Sequence, residues 1–206
     1  MRLGGGEDGV NVMTASVCDL LARPIADPDA SQQSGALIQV LSKSGAIAAV
    51  TAALPSLSRT AMGPPLTLIW RLLSTHPPLL QQFVESGGLA APLMSLVLAP
   101  SNPAPLLSDA LLIVSQVARV SREHYEAIAK GRVHAHLGAL LRHPDAGVRA
   151  KCCNLIGNMC RHSPYFYGAF EKDGLVDALV DLCHDPDPTA RRVERFQMPV
   201  NPAWTS

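Results

Sequence analysis

The sequence predicts an all-α fold, a right-handed superhelix of three-helix repeats, and three observations carry the prediction. A short glycine-containing punctuation recurs at a nearly constant period, a helical apolar face follows each recurrence, and the composition suits packed helices. Hydrophobic residues make up 48% of the 206 residues while aromatics are only 4%. The apolar content is therefore mostly Leu, Ala and Val, and Ala and Leu lose little on entering a helix.

Residues 1–9, glycine-rich and acidic, are expected to be a disordered leader. Repeats are expected to fill residues 10–192, about four of them with a period of 42–44. Ser44-Gly45-Ala46-Ile47, Ser86-Gly87-Gly88-Leu89, Lys130-Gly131-Arg132-Val133 and Lys172-Asp173-Gly174-Leu175 share one shape. Their closing apolar residues lie 42, 44 and 42 positions apart. Leu89, Leu93, Leu96 and Val97 then follow the i, i+4, i+7, i+8 spacing of one helical face. Val133, Leu137, Leu140 and Leu141 repeat it, as do Leu175, Leu179, Leu182 and Cys183. The first copy, Ile47, Val50 and Leu54, is looser. Glycine in the left-handed conformation can stop the preceding helix and turn the chain, and Gly131 is expected at such a break.

Proline follows each apolar run, as in Leu54-Pro55 and Ala99-Pro100, and is joined by aspartate in His143-Pro144-Asp145 and Asp185-Pro186-Asp187. Proline cannot continue a helix and aspartate caps the next one. A third helix is expected near 64–74, 106–119 and 146–161, stacked on one concave side. Short helices from Pro77 to Glu85, Ser121 to Lys130 and Pro164 to Lys172 lead back to the punctuation. Three helices per period of forty-odd residues is the armadillo/HEAT signature of an α-solenoid. Asp187-Pro188-Thr189-Ala190-Arg191 restarts the pattern of Asp145-Ala146-Gly147-Val148-Arg149 at an offset of 42. The pattern then fails: Glu194, Gln197 and Pro199 stand where Cys152, Leu155 and Gly157 would recur. Residues 193–206 therefore read as an irregular tail, an aborted repeat or alternative terminus, and the uncapped C-terminal end is expected to self-associate.

Several chemistries find no residues. Lys and Arg together number 17, as do Asp and Glu, so no charge footprint points to nucleic acid or an anionic membrane surface. Five cysteines without framework spacing fit a reducing cytosol. The start lacks the apolar run of a signal peptide, and no stretch approaches the roughly 20 apolar residues of a span. A soluble cytoplasmic protein is expected. Gly4, Gly6 and Gly9 match G-x-G-x-x-G, but only Met1-Arg2-Leu3 stands where a strand must aim the loop. No P-loop, H-R-D, D-F-G or G-x-S-x-G occurs, so no catalytic residue and no cofactor are expected. His134 with His136, and Cys160 with His162, are two apart on helices and point to different sides, so no metal site is expected. Asp177 and Asp181 read as a solvated helix face.

The polar positions of the third helices are more informative. Aligning them places Arg71, Gln116 and Asn158 in one column, with Thr67, Leu112 and Asn154 one turn earlier. A polar ladder repeated once per unit can line a groove whose side-chain amides bond the backbone of an extended peptide. Arg71, Gln116, Asn154 and Asn158 are the candidate partner-binding residues. The plainer alternative is that they sit at contacts between repeats.

The segment from Arg149 to Tyr167, with Gly157-Asn158-Met159-Cys160-Arg161-His162-Ser163-Pro164-Tyr165-Phe166-Tyr167 at its heart, resembles the C-terminal armadillo-like region of Fused-type serine/threonine kinases. Asp173-Gly174-Leu175 and Asp185-Pro186-Asp187-Pro188 continue the resemblance, which is dense over 133–192 and departs at Val193. It implies a protein-interaction scaffold in a kinase of Hedgehog signalling, cilium assembly or cytokinesis, with protein partners, kinesin-type proteins among them, and a cytoskeletal or ciliary location. The kinase domain would lie outside this region, and none of its motifs stand here. A generic armadillo adaptor of transport or cytoskeletal type, unrelated to a kinase, is the alternative.

Overall fold

Gly45, Gly87 and Gly174 adopt positive φ of 71°, 80° and 65°, and each stands where one helix stops and the next begins. The computed structural model describes residues 6–27 and 31–191, and all regular structure among them is helical. By packing, the chain divides into two units, Met1–Leu89 and Ala90–Ser206.

The first unit holds α1 (Gly6–Ala26), α2 (Ser31–Lys43), α3 (Ala46–Ala53), α4 (Gly63–Thr75) and α5 (Leu79–Glu85), with a 3-10 turn at Leu54–Ser56. α1 lies along α4, and α3 packs on α2, α4 and α5. Met62, Leu66, Ile69, Leu73 and Phe83 are sealed from solvent at its centre. α1 opens at Gly6, inside the segment expected to be a disordered leader, so Gly6 and Gly9 of the G-x-G-x-x-G match are helical. Residues 1–5 lie outside the described residues.

The second unit holds α6 (Ala91–Val97), α7 (Ala104–Val120), α8 (Tyr125–Lys130), α9 (His134–Leu141), α10 (Ala146–Cys160), α11 (Tyr167–Lys172), α12 (Leu175–Leu182) and α13 (Pro188–Arg191). The third-type helices α7 and α10 pack along one another, and α10 also meets α13. Between them the apolar residues alternate with the helical period, and Val114, Val117, Leu155, Ile156 and Met159 are buried. Each such Leu- or Ile-sized side chain contributes about 1.5–3 kcal/mol when taken out of water. Asp145 caps α10 by accepting the Val148 N–H at 2.9 Å, satisfying one of the first-turn donors. α13 spans Pro188–Arg191, and the tail 193–206 expected to be irregular lies outside the described residues.

The repeat is chemical as well as geometric. Arg149 Nη1 donates to the carbonyls of His143 and Pro144 at 2.8 and 2.9 Å. One period on, Arg191 Nη1 donates to Asp185 and Pro186 at 2.7 and 2.9 Å. The Asp145 N–H bonds His143 Nδ1, and the Asp187 N–H bonds Asp185 Oδ1. The loop into each third helix is thus closed by the same two devices.

One expectation needs correction. Gly131 ends α8 but keeps a right-handed backbone (φ −69°, ψ −7°), and the left-handed residue is Arg132 at φ 54°. The Arg132 N–H bonds the Ala129 carbonyl at 2.9 Å and the Val133 N–H reaches the Ile128 carbonyl at 3.4 Å. That is the Schellman closure, and it requires its left-handed residue one position later here than at Gly87. An arginine there carries the Cβ penalty of the left-handed region. Its side chain is exposed, so Arg132→Gly should raise stability by about 1 kcal/mol. Urea denaturation measures this, and a lowered midpoint would refute the strain.

Candidate peptide-binding face of the second unit

Three of the four expected groove residues meet on the α7–α10 pair. Ser115 on α7 is the hub. Its Oγ accepts the Asn154 amide N–H at 3.0 Å and the Asn158 amide N–H at 2.7 Å. A hydroxyl oxygen has two lone pairs, so it accommodates both. Ser115 and Asn158 are buried and Asn154 is half-buried. The two asparagines therefore do lie at an inter-repeat contact, and that contact fixes how each amide points. Neither Oδ1 has a partner among the described residues, and neither is among the sealed, unbonded polar atoms, which are Thr51 Oγ1, Asn102 Oδ1 and His134 Nδ1.

Gln116, next to the hub, accepts from Arg119 Nε and Nη2 on its Oε1 at 3.1 and 2.7 Å. The Arg119 carbonyl takes His162 Nε2 at 2.8 Å. Tyr125 donates its hydroxyl hydrogen to the Asn158 carbonyl at 2.9 Å and accepts the His162 backbone N–H at 3.2 Å. The C-terminal ends of α7 and α10 are thereby held together, with the Arg119 and Arg161 side chains exposed beside them. Arg71 belongs to the first unit, where it is half-buried and donates through Nη1 to the Ala22 carbonyl.

Sequence reasoning missed Ser115, Arg119 and Tyr125. A lone serine inside the apolar run Ile113-Val114-Ser115-Gln116-Val117 was the available signal. Its partners stand 39 and 43 residues later, a distance that alignment within one column does not bring to attention.

The other candidates are spent on structure. Burial pushes the Cys153 and Cys160 thiols up to about 12, so neither is a thiolate near neutral pH. His134 Nε2 lies 3.9 Å from the Asp173 carboxylate. Among the described residues no group of three or more His, Cys, Asp or Glu could hold a metal ion. No single described helix is long and apolar enough to cross a membrane.

The charge pair that matters joins successive repeats. Arg149 forks onto Asp185, with Nε to Oδ2 and Nη2 to Oδ1 both at 2.7 Å, and the side chains are only 13% and 8% exposed. The Arg149 guanidinium, aided by the Asp187 N–H, holds the Asp185 carboxyl below the usual range. A depressed carboxyl stabilises the fold fully above its unfolded value of about 3.9 and loses that effect as pH falls through its folded value. Wild type should therefore lose part of its stability as pH falls below about 4, and Asp185→Asn should reduce that slope while lowering stability at pH 7. Denaturant midpoints measured across pH 2.5–7 test this, and parallel curves would refute it.

No family model matches the chain. It is 32% identical over 199 residues to serine/threonine-protein kinase 36 of Pongo abelii, covering 90% of this chain. The Mus musculus protein of that name is 29% identical over 203 residues. Serine/threonine-protein kinase TIO of Arabidopsis thaliana is 36% identical over 90 residues, 44% of this chain. The chain spans about 15% of the length of the two animal relatives and about 7% of the plant one. A designed armadillo repeat protein in complex with the peptide (KR)4 superposes with a TM-score of 0.68 at 17% identity, covering 85% of this chain and 78% of its own. An engineered protein superposes with a TM-score of 0.74 at 14% identity, covering 92% and 74%. At such identities the solved structures establish the fold, all-α and armadillo-type. Together with the relatives, they identify this chain as an armadillo-like region of the Fused-type serine/threonine kinase kind.

Proposed function

We propose that the chain is a protein-interaction scaffold whose α7–α10 face holds an extended peptide segment of a partner. The observation that carries the reading is the pinning of the Asn154 and Asn158 amides on Ser115. Half-buried Asn154 presents an acceptor and a spare N–H fixed in direction, matching the N–H and C=O of an extended backbone, while buried Asn158 one turn on holds Ser115 beneath it. Pre-set amides lose little side-chain entropy on binding. Arg119 and Arg161 stand exposed beside them, so the favoured peptide is neutral or acidic at that end, unlike the (KR)4 ligand of the designed neighbour.

The parent polypeptide, by resemblance, is a serine/threonine kinase of Hedgehog signalling, cilium assembly or cytokinesis. Its armadillo-like region would recruit signalling or kinesin-type proteins in the cytoplasm or at the cytoskeleton.

Selection of a random-peptide display library on the immobilised chain tests the peptide reading. Wild type should enrich a consensus free of Lys and Arg runs, and Asn154→Ala with Asn158→Ala should lose it at least tenfold. Equal enrichment by the double variant would refute the assignment.

A further inference from the structure

α1 leaves Val10, Met13, Val17 and Leu20 exposed on the side away from Cys18 and Ala22, which are buried where the helix lies along α4. Such an apolar face accepts many occupants. The C-terminal ends of α7 and α10 carry a more selective surface. Residues 119–124 and 161–165 hold Arg119, Arg122, Arg161, His124 and His162 against a single carboxylate, Glu123. The three arginines and His162 are exposed. The next carboxylate along the chain, Glu126, is taken by Lys130 at 2.7 Å.

The helical phase sets these charges beside the amides of the peptide-binding face. Asn154, Asn158 and Arg161 stand at i, i+4 and i+7, one stripe of α10, and the helical backbone continues through Arg161 at φ −60° and ψ −42°. Ser115 and Arg119 form the facing stripe of α7 at i and i+4. Ser115 bonds both asparagines, and one turn further the His162 ring bonds the Arg119 carbonyl, so the stripes stay in register to their ends. Two of the carbonyls that make a helix C-terminus repel anions are already answered here. The Asn158 carbonyl accepts the Tyr125 hydroxyl and the Arg119 carbonyl accepts His162 Nε2–H. Arg119 spends Nε and Nη2 on Gln116, which fixes its guanidinium and leaves Nη1. The Arg161 side chain has no hydrogen bond or ion pair among the described residues.

We propose that this patch receives a phosphorylated serine or threonine of the peptide that Asn154 holds, an assignment that rests on the peptide-binding reading above. A carboxylate brings one charge and two oxygens, whereas a phosphate monoester carries about −1.5 to −2 at pH 7 and three strong acceptor oxygens. Three arginines against one glutamate leave an excess of two positive charges, which matches the phosphate. Planar guanidinium forks bond such a group in pairs. Arg161 lies seven residues beyond Asn154, about 10 Å along the helix at roughly 1.5 Å per residue. An extended peptide covers that in about three residues at roughly 3.3 Å each. Arg119 is held through Gln116, next to Ser115, so the phosphate sits close to the peptide backbone, within reach of a short side chain. A phosphotyrosine ring would carry it beyond.

The whole chain, immobilised, is offered a peptide library with one fixed phosphoserine and all other positions random but free of Lys and Arg. Matched libraries carry serine or phosphotyrosine at the fixed position. The phosphoserine library should be recovered at least tenfold over the other two. Arg119→Gln with Arg161→Gln should abolish that preference while recovery of the serine library and helical circular dichroism stay unchanged, because both side chains are exposed. Asn154→Ala with Asn158→Ala should lower all three recoveries alike. Equal recovery of the phosphoserine and serine libraries by wild type would overturn the phosphate assignment and leave the peptide reading standing, whereas recovery of none would overturn both. A preference that survives loss of the two arginines, or phosphotyrosine recovered as well as phosphoserine, would also overturn it. So would phosphatidylserine vesicles bound through the same arginines in place of any peptide, which would make the patch a membrane contact.

Discussion

Tyr125→Ala should destabilise the chain by about 3–5 kcal/mol, the range for emptying a buried aromatic site. The ring is 1% exposed and lies 5.1 Å from Phe166 and 6.1 Å from Tyr165 between centroids. Phe166 in turn stacks on Phe170 at 5.8 Å, so the cavity would open in the middle of the aromatic cluster that seats α11. Burial raises the phenol above its ordinary range, so the hydroxyl stays protonated and keeps donating to the Asn158 carbonyl. Tyr125→Phe isolates that hydroxyl. It should cost about 1 kcal/mol, because the ring volume is kept while one carbonyl and one N–H lose a partner. Urea titrations of both variants measure the split. Should Tyr125→Ala fall within 1 kcal/mol of Tyr125→Phe, the aromatic packing contributes little and the account is wrong.

Gly88→Ala is expected to lose about 1–3 kcal/mol by overpacking. A Cβ built there would overlap the Phe83 ring edge, whose Cε2 would stand only 2.3 Å away. Phe83 is itself sealed at 1% exposure and cannot swing aside freely. The neighbouring glycine responds to different physics. Gly87 has open space around its Cβ position but a φ of +80°, so Gly87→Ala should cost about 1 kcal/mol through backbone conformation alone. A double-mutant cycle separates the two mechanisms. Phe83→Leu should relieve Gly88→Ala by more than about 1 kcal/mol and leave the cost of Gly87→Ala unchanged. Equal coupling for both glycines would show that the clash is not the cause.

The punctuation tetrads illustrate how far the sequence can be read. That each ends one helix and opens another is legible in Gly, Pro and the apolar run that follows. Which residue turns left-handed is not. At Gly87 it is the second residue of the tetrad and at Arg132 the third, because α8 reaches Lys130 before its carbonyls close. The third helices are similar. Expectations of 64–74, 106–119 and 146–161 meet observed spans of Gly63–Thr75, Ala104–Val120 and Ala146–Cys160. The periodic faces and the prolines and aspartate at their starts carry that information locally. The polar column was legible as a column, yet its three amide residues in the second unit use their side chains differently. Gln116 pairs with Arg119 on its own helix, while Asn154 and Asn158 reach across to Ser115.

The sequence by itself determined the helical class, the period of the repeat and the start of each third helix. Helix propensity, apolar spacing and caps act over a turn or two of chain, and they are written in consecutive residues. Tertiary structure alone decided that Arg149 is answered by Asp185 and that Ser115 orients two asparagines. It also decided that one apolar face of α1 is buried on α4 while the other stays bare. Those outcomes depend on which helix faces lie against one another across 36 to 43 residues. No local pattern encodes that choice, because the same apolar spacing serves a covered face and an uncovered one equally well.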